Sequence, residues 1–524
     1  MRLPAQLAIA LLAGLAHALS IAEPWSGRPL WWLQLLSLGV LAWLLTTLRD
    51  ASASPRHAAW LGLAFGTAWL AATWWWLFIS LHTYGGLNPA LAVLAIVGLA
   101  AFLSLYCAAA SAAFVWLAPS SATGRAALFA ALWLLEELMR AVWFTGFPWG
   151  AAGYAHVDGP LAGLAPQVGV WGITAFAAFS AMALAQLVSR PLAWRARLAG
   201  GAVLAALWGW LAVGSLCLGN GCITALAHDP QSAGRLKVTL LQGNIPQDEK
   251  FQPGSGIPLA LGWYREQILA AGGDLVVAPE TAIPLLPQQL PEGYVAALEA
   301  RFATGRQALL VGIPLGDFKQ GYSNSAIGLR PGLAAPYVYS KHHLVPFGEF
   351  IPPLFRWFTE LMNIPLGDFN RGGLGQPSFD WQGQRLAPNI CYEDLFGEEI
   401  AAGFADAQAA PTILVNLSNI GWFGDSVAID QHLLISRMRA LEFDRPMIRA
   451  TNTGATVIID RRGRVTHALP RHTRGVLVGE VEGRYGITPF AWWASRFGVW
   501  PLWGIGLLAL ALAWLARRRS VPGG

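Results

Sequence analysis

Apolar residues run almost without interruption through the first 218 positions, give way to a mixed pattern from about 225 to 485, and close up again over 493–516. A bilayer core of roughly 30 Å takes about 20 apolar residues in helical form. That rule predicts spans near 4–22, 30–48, 58–80, 89–117, 125–144, 166–188, 197–218 and 493–516. The run at 89–117 exceeds a perpendicular crossing, so it has to tilt or project beyond the lipid. The first run, Leu7 to Ile21 behind Arg2, has the look of a secretory leader. A second run of spanning length follows within a few residues, and the segment is therefore read as a retained helix.

Charge between the runs sets their orientation. Arg2 precedes the first span, Arg49 and Arg56 separate the second from the third, and Arg125 follows the fourth. Arg190, Arg195 and Arg197 lie between the sixth and seventh, and Arg517, Arg518 and Arg519 follow the last. The alternate loops, His82–Asn88 and Thr145–Ala165, carry no Lys or Arg, and Arg28 is the exception on that side. By the positive-inside rule both termini are expected in the cytoplasm, and the long segment before the last span faces outward.

In that segment short β-branched runs alternate with amphipathic stretches. Strands are predicted at Leu236–Leu241, Asp274–Ala278, Ala308–Ile313, Ser323–Leu329, Arg385–Ile390, Thr412–Leu417, Met447–Ala450 and Val457–Asp460, the last entering a hairpin turn at Arg461–Arg464. Helices are predicted at Ile257–Ala271, Pro291–Thr304 and Ala428–Phe443. Strands separated by helices imply a layered α/β domain. The expectation is a multi-domain membrane protein: a transmembrane helical bundle over 1–224, an extracytoplasmic α/β domain over 225–485, and a last helix with a basic cytoplasmic tail over 486–524. That makes about eight spans in all, and Gly219-Asn220-Gly221 with Asp229-Pro230 form a linker.

Composition agrees with lipid as one solvent. Charged residues make up 12% and hydrophobic ones 55%, where a soluble protein has about 25% charged. Many of the 26 tryptophans stand at the ends of apolar runs, as Trp31, Trp32 and Trp74 to Trp76 do, in keeping with interfacial belts. The net charge of +5 sits mostly in short loops and the tail, so no nucleic-acid partner is expected. The ten histidines are scattered, and the adjacent His342-His343 lack the spacing for shared metal ligation. There is no Walker or dinucleotide fingerprint; neither a metal nor a cofactor is expected.

Three residues carry the candidate chemistry. Cys391 follows the strand Arg385–Ile390, Glu280 closely follows Asp274–Ala278, and Lys341 stands in Tyr339-Ser340-Lys341-His342-His343. A thiol becomes a good nucleophile when a base takes its proton or a cation lowers its pKa. A carboxylate serves as such a base, and a lysine steadies the oxyanion of a tetrahedral intermediate. Each residue also has a bland reading, the cysteine as a small buried hydrophobe and the charges as solvated surface groups. Glu136, Glu137 and Arg140 lie within the fifth predicted span; Glu136 and Arg140, one turn apart, suit an ion pair fixing helix packing or a substrate contact. Cys217 and Cys222 are either a disulfide or two free thiols, and Cys107 is read as packing.

Taken in order, these segments resemble the Glu-Lys-Cys nitrilase superfamily and, more narrowly, its membrane-bound branch, the apolipoprotein N-acyltransferases. The resemblance extends over essentially the whole chain. It rests on Thr145-Gly146-Phe147-Pro148-Trp149, Gln242-Gly243-Asn244-Ile245-Pro246-Gln247, Pro279-Glu280-Thr281, Lys341 through Glu349 with Pro352, Asn389-Ile390-Cys391-Tyr392-Glu393, and Asn419 through Asp425. It implies a nitrilase-like αββα sandwich with Glu280 as general base, Lys341 as oxyanion stabiliser and Cys391 as nucleophile. Glu349, Tyr392 and Glu393 would support them, and Asn324 and Trp422 would line the substrate site. Family members often carry a tryptophan where this chain has Phe251, which is therefore left out of the site.

The implied reaction moves a fatty acyl chain from a membrane phospholipid to Cys391 and then to the α-amine of a diacylglyceryl-modified apolipoprotein. Its location would be the inner membrane, with the bilayer itself as a partner and the domain facing the periplasm. The apolar stretch Phe355–Met362 would dip into lipid or act as a lid. Two rivals differ in chemistry: a membrane-tethered amidase with water as acceptor, and a transporter or binding protein with a catalytically dead outer domain.

Overall fold

Ser54, Asn88 and Ser121 each start a helix by accepting a hydrogen bond from a first-turn N–H, at Arg56, Ala90 and Gly124 respectively. Pro55 and Pro89 take first-turn positions where no N–H is needed. The computed structural model describes residues 2–189, 201–202, 206, 208–209, 232–317, 319–351 and 369–520. Contacts divide the chain into two units, 1–78 with 88–226 and 499–524, and 79–87 with 227–498.

In the first unit the helices are α1 (Leu3–Ile21), α2 (Trp31–Asp50), α3 (Pro55–Thr73), α4 (Pro89–Leu117), α5 (Ala122–Val142) and α6 (Ala165–Ser189), joined by Trp500–Ser520 near the C-terminus. Among the described residues five helices are long and apolar enough to cross a membrane: Leu3–Ile21, Trp31–Asp50, Pro89–Leu117, Pro160–Ser189 and Trp500–Arg519. Close helix contact uses small residues. A side chain on Gly62 would begin 2.4 Å from Ser111 Oγ, and one on Gly66 2.7 Å from Ser104 Oγ, so α3 meets α4 backbone to backbone.

Two predicted spans are shorter than expected. The one at 58–80 stops at Thr73, and Ile79–Tyr84 forms a separate π-helical segment within the second unit. The one at 493–516 is interrupted at Gly498, whose φ of 52° ends the helix Pro489–Phe497 before Trp500–Ser520 begins. The interior charges of α5 pair differently from the sequence expectation. Arg140 stands 3.9 Å from Glu137, not paired with Glu136, and donates to the carbonyls of Phe147 and Trp149 at 2.7 and 3.1 Å. Glu137 accepts from the Ala152 N–H at 3.1 Å. These charges therefore hold the Thr145–Trp149 loop to its helix. The linker at 219–221 and 229–230, Cys217, Cys222, most of the span at 197–218 and all of Phe355–Met362 lie outside the described residues.

The second unit is built on two six-stranded sheets. The first runs β12-β1-β2-β3-β4-β5 and the second β11-β10-β9-β8-β7-β6. In chain order these are β1 (Ser232–Gln242), β2 (Leu275–Ala278), β3 (Ala308–Asp317), β4 (Gly321–Leu329), β5 (Tyr337–Ser340), β6 (Phe379–Trp381), β7 (Gln384–Ile390), β8 (Ile413–Ser418), β9 (Met447–Thr451), β10 (Val457–Ile459), β11 (Val465–Ala468) and β12 (Gly475–Arg484). β1, β2 and β3 are mutually parallel, as are β7, β8 and β9; the remaining pairs are antiparallel.

Period-2 alternation sorts the side chains into layers. Leu236, Val238, Leu240, Val277 and Leu310 pack with Leu386, Val415, Leu417, Ile448 and Ile458 between the sheets. Val276, Leu309 and Val311 turn the other way, toward Tyr264 and Ile268 of one helix and Leu298 and Phe302 of another. Each such side chain, fully buried, contributes about 1.5–3 kcal/mol. The eight predicted strands are present; β5, β6, β11 and β12 were not separately predicted. β12 escapes the pattern because Gly475, Gly479 and Gly483 share the covered face with Leu477 and Val481, while Glu480, Glu482 and Arg484 take the opposite face beside Val476 and Val478.

Candidate active site

Parallel strands align their carboxyl ends, and the chain leaves those ends at one level of the sandwich. Glu280 comes two residues after β2, Lys341 directly after β5, and Cys391 directly after β7. The turns are sharp. Cys391 has φ 54° and Thr281 has φ 46°, a region side-chain-bearing residues seldom adopt and one that concentrates at working sites.

A single hydrogen-bonded array links four of the predicted residues. Lys341 Nζ lies 2.9 Å from Glu349 Oε2 and 3.5 Å from Glu280 Oε1. The Asn324 amide bridges the two carboxylates, its Nδ2 donating at 2.7 Å both to Glu280 Oε1 and to Glu349 Oε1. Glu280 Oε2 accepts from the Asn419 backbone N–H at 2.8 Å, and Glu349 Oε2 from that of Val345 at 2.8 Å. All four side chains are buried.

Cys391 is half-buried and close enough for Glu280 and Lys341 to act on its thiol. Burial, aided by the Glu280 charge, pushes the thiol up to about 12, against the opposing pull of Lys341, the Ser418 hydroxyl and the Asn419 N–H. At neutral pH the resting sulfur is therefore protonated. For Lys341, burial favours the neutral form, but Glu349, Glu280 and Cys391 outweigh it and hold the ammonium above its ordinary value. The site thus sets a protonated thiol beside a fixed cation and the Glu280 side chain.

The other predicted residues lie around this array. Glu393 is buried and accepts from the N–H groups of Ile390 at 2.6 Å and His342 at 2.6 Å, and from the Tyr339 hydroxyl at 2.9 Å. One carboxylate thereby ties the end of β7, which carries Cys391, to the segment that carries Lys341. Burial raises its pKa, against the opposing effect of these donors. Tyr392 is buried, with its ring against those of His343 and Phe396. Trp422 stands on the turn after β8, its ring edge-on to Tyr84 at 5.8 Å. Glu280, Asn324, Lys341 and Glu349 thus meet directly, while Tyr392 and Trp422 sit in aromatic pairs.

Several contributors fall outside the residues given a role from the sequence. Lys250, buried, donates to the Thr281 hydroxyl at 2.7 Å and to the Glu280 carbonyl at 3.2 Å, and burial lowers its pKa to about 8. Behind Cys391, His432 Nε2 lies 2.8 Å from Asp394 Oδ1 and 3.2 Å from the Cys391 carbonyl. Arg449 donates to His432 Nδ1 at 2.6 Å, which leaves the ring proton on Nε2. Ser418 directs its hydroxyl at Cys391 Sγ, 3.3 Å away. Lys250 and Asn419 belong to or adjoin strings already singled out, whereas Ser418, His432 and Arg449 look like ordinary strand and helix residues until the chain is folded.

Comparison with known proteins bears on the same regions. Residues 13–183 match the model of the apolipoprotein N-acyltransferase N-terminal domain, and residues 237–488 match that of carbon-nitrogen hydrolases. The chain is 58% identical to an apolipoprotein N-acyltransferase of Verminephrobacter eiseniae, over 94% of this chain and 93% of that one. It is 46% identical to one of Ralstonia nicotianae, over 98% and 93% respectively. Among solved structures, a carbon-nitrogen hydrolase from Helicobacter pylori aligns with 52% of this chain and 94% of its own at 17% identity and a TM-score of 0.35.

Proposed function

This chain belongs to the apolipoprotein N-acyltransferase family, and from that premise we propose that Cys391 carries the acyl group between two lipid-anchored substrates. The protein is a membrane acyltransferase that performs the last step of lipoprotein maturation. Its donor is a membrane phospholipid, and its acceptor is the α-amine of the N-terminal diacylglyceryl-modified cysteine of an apolipoprotein. Residues 1–224 form the bundle that gives both substrates access from the bilayer, and residues 225–485 the catalytic domain. The tail after 486 returns to the cytoplasm, and the catalytic domain faces the periplasm from the inner membrane.

In the first step Glu280 takes the Cys391 proton as sulfur attacks the ester carbonyl carbon. Lys341 faces the oxyanion that develops. The carbon–oxygen bond breaks, Glu280 returns the proton to the departing oxygen, and a lysophospholipid leaves. In the second step the amine nitrogen attacks the thioester carbonyl, the carbon–sulfur bond breaks, and Glu280 passes the proton lost by nitrogen to the Cys391 thiolate. Glu349 and Asn324 hold Lys341 and Glu280 in register, Glu393 and Tyr392 brace the Cys391 turn, and Trp422 lines the approach. The observation that carries this reading is the array joining Glu280, Asn324, Lys341 and Glu349 beside the strained Cys391 turn.

Intact mass after mixing the purified chain with phospholipid tests it. A fatty-acyl adduct is expected on the wild type, removed by hydroxylamine, absent in Cys391→Ala, and discharged faster when lipopeptide amine is added. An adduct that persists in Cys391→Ala overturns the assignment of the nucleophile, and discharge indifferent to amine points to water as the acceptor.

A further inference from the structure

The parallel register of β7 and β8 pairs Ile390 with Leu417, so the next residues, Cys391 and Ser418, leave the two strands side by side. Ser418 is fully buried, and its hydroxyl lies 3.3 Å from Cys391 Sγ. Its backbone is held on the far side as well: Ser418 pairs with Thr451 in β9, and its carbonyl accepts from the Asn452 N–H at 3.1 Å. The backbone that carries the hydroxyl is therefore fixed beside the sulfur.

The other groups that favour the thiolate, Lys341 and the Asn419 N–H, are shared with carboxylates. Lys341 Nζ is engaged by Glu349 and Glu280, and the Asn419 N–H donates to Glu280 Oε2 at 2.8 Å. Meanwhile burial and the Glu280 carboxylate both oppose negative charge on sulfur. A hydrogen bond to the charged form of a group is what favours that form.

We propose that Ser418 is a further catalytic residue, whose hydroxyl donates a hydrogen bond to Cys391 Sγ and stabilises the thiolate released when the thioester is discharged. No proton is transferred through Ser418. As the amine nitrogen bonds to the acyl carbon, the carbon–sulfur bond breaks and its electron pair goes to sulfur; the Ser418 hydrogen bond shortens as that charge appears. Hydrogen bonds to ionised groups are the stronger kind, and this one serves both steps because the same sulfur is nucleophile in the first and leaving group in the second.

The inference rests on Cys391 being the acyl carrier, and the experiment separates the two. The full chain in detergent is loaded from phospholipid, and loss of the acyl adduct is followed by intact mass for wild type and Ser418→Ala. Two nucleophiles are used, hydroxylamine, which needs no acceptor site, and a saturating lipopeptide amine. Both discharge rates are expected to fall about tenfold in Ser418→Ala, with the half-saturating lipopeptide concentration unchanged. The S–H stretching band of the unloaded enzyme, assigned by subtracting Cys391→Ala, should shift in Ser418→Ala, which a merely structural role would not require. Discharge within twofold of wild type, or an unmoved S–H band, overturns the proposal. Failure of the wild type to load on Cys391 refutes the parent reading instead, and the infrared band then decides the hydrogen bond by itself.

Discussion

Asn324 shows how much one side chain can carry. Its single amide nitrogen serves two buried carboxylates at 2.7 Å each, and those carboxylates in turn hold Lys341. Without it Glu280 and Glu349 lose a shared donor and repel each other across the ammonium. Asn324→Ala is therefore expected to slow formation of the acyl adduct roughly a hundredfold, on the scale of losing a positioned proton-transfer partner. Rapid-quench mass measurement of adduct formation checks this; a rate within threefold of wild type would show that Glu280 holds its place without the amide. The family resemblance implies Asn324 and Trp422 as lining residues, and of the two Asn324 joins the polar array.

β3 acts on the site although it contributes no reacting group. Gly312 faces the turn that carries Glu280, where an added Cβ would lie 2.4 Å from the Pro279 carbonyl oxygen and 2.7 Å from Glu280 Cα. The glycine lets the Pro279–Thr281 segment lie flat on the sheet. Gly312→Ala has to push that segment outward, at a cost of about 1–3 kcal/mol in stability and with loss of the Glu280 contact to the Asn419 N–H. Thermal unfolding together with adduct formation tests it: both should drop, and a variant with unchanged acylation would mean the Glu280 turn absorbs the methyl. β12 and β5 make the complementary point about legibility. β12 reads as polar because only one of its faces is covered, and β5 is four residues long with none fully buried. A short or half-covered strand leaves too few alternations to be seen before its partner is in place.

The chain as a whole mixes two solvents, and the arginine pattern of its loops predicts which side each part faces. A cysteine placed at the exposed Glu292 (Glu292→Cys) should react with a membrane-impermeant maleimide once the outer membrane is permeabilised. One placed in the tail by Ser520→Cys should react only after the inner membrane is broken. Labelling in the opposite order would reverse the proposed topology. The positive-inside bias makes the expected result, because short arginine-rich loops resist translocation while long domains cross largely regardless of charge.

The family resemblance added the set Glu280, Lys341 and Cys391; apolar run lengths, loop charges and strand alternation were sufficient to reveal a helical membrane part and a layered α/β part. These are local properties, set by how far an apolar helix reaches and which way successive side chains point. Folding alone brought Ser418, Lys250 and the Asp394–His432–Arg449 group to the site, and it exchanged Glu136 for Glu137 as the neighbour of Arg140. The contacts at the site join residues tens to hundreds of positions apart, and the placement of strands and helices, not sequence spacing, sets which of them meet. A hydrogen bond is short and directional, so its partner cannot be read until both backbones have been placed.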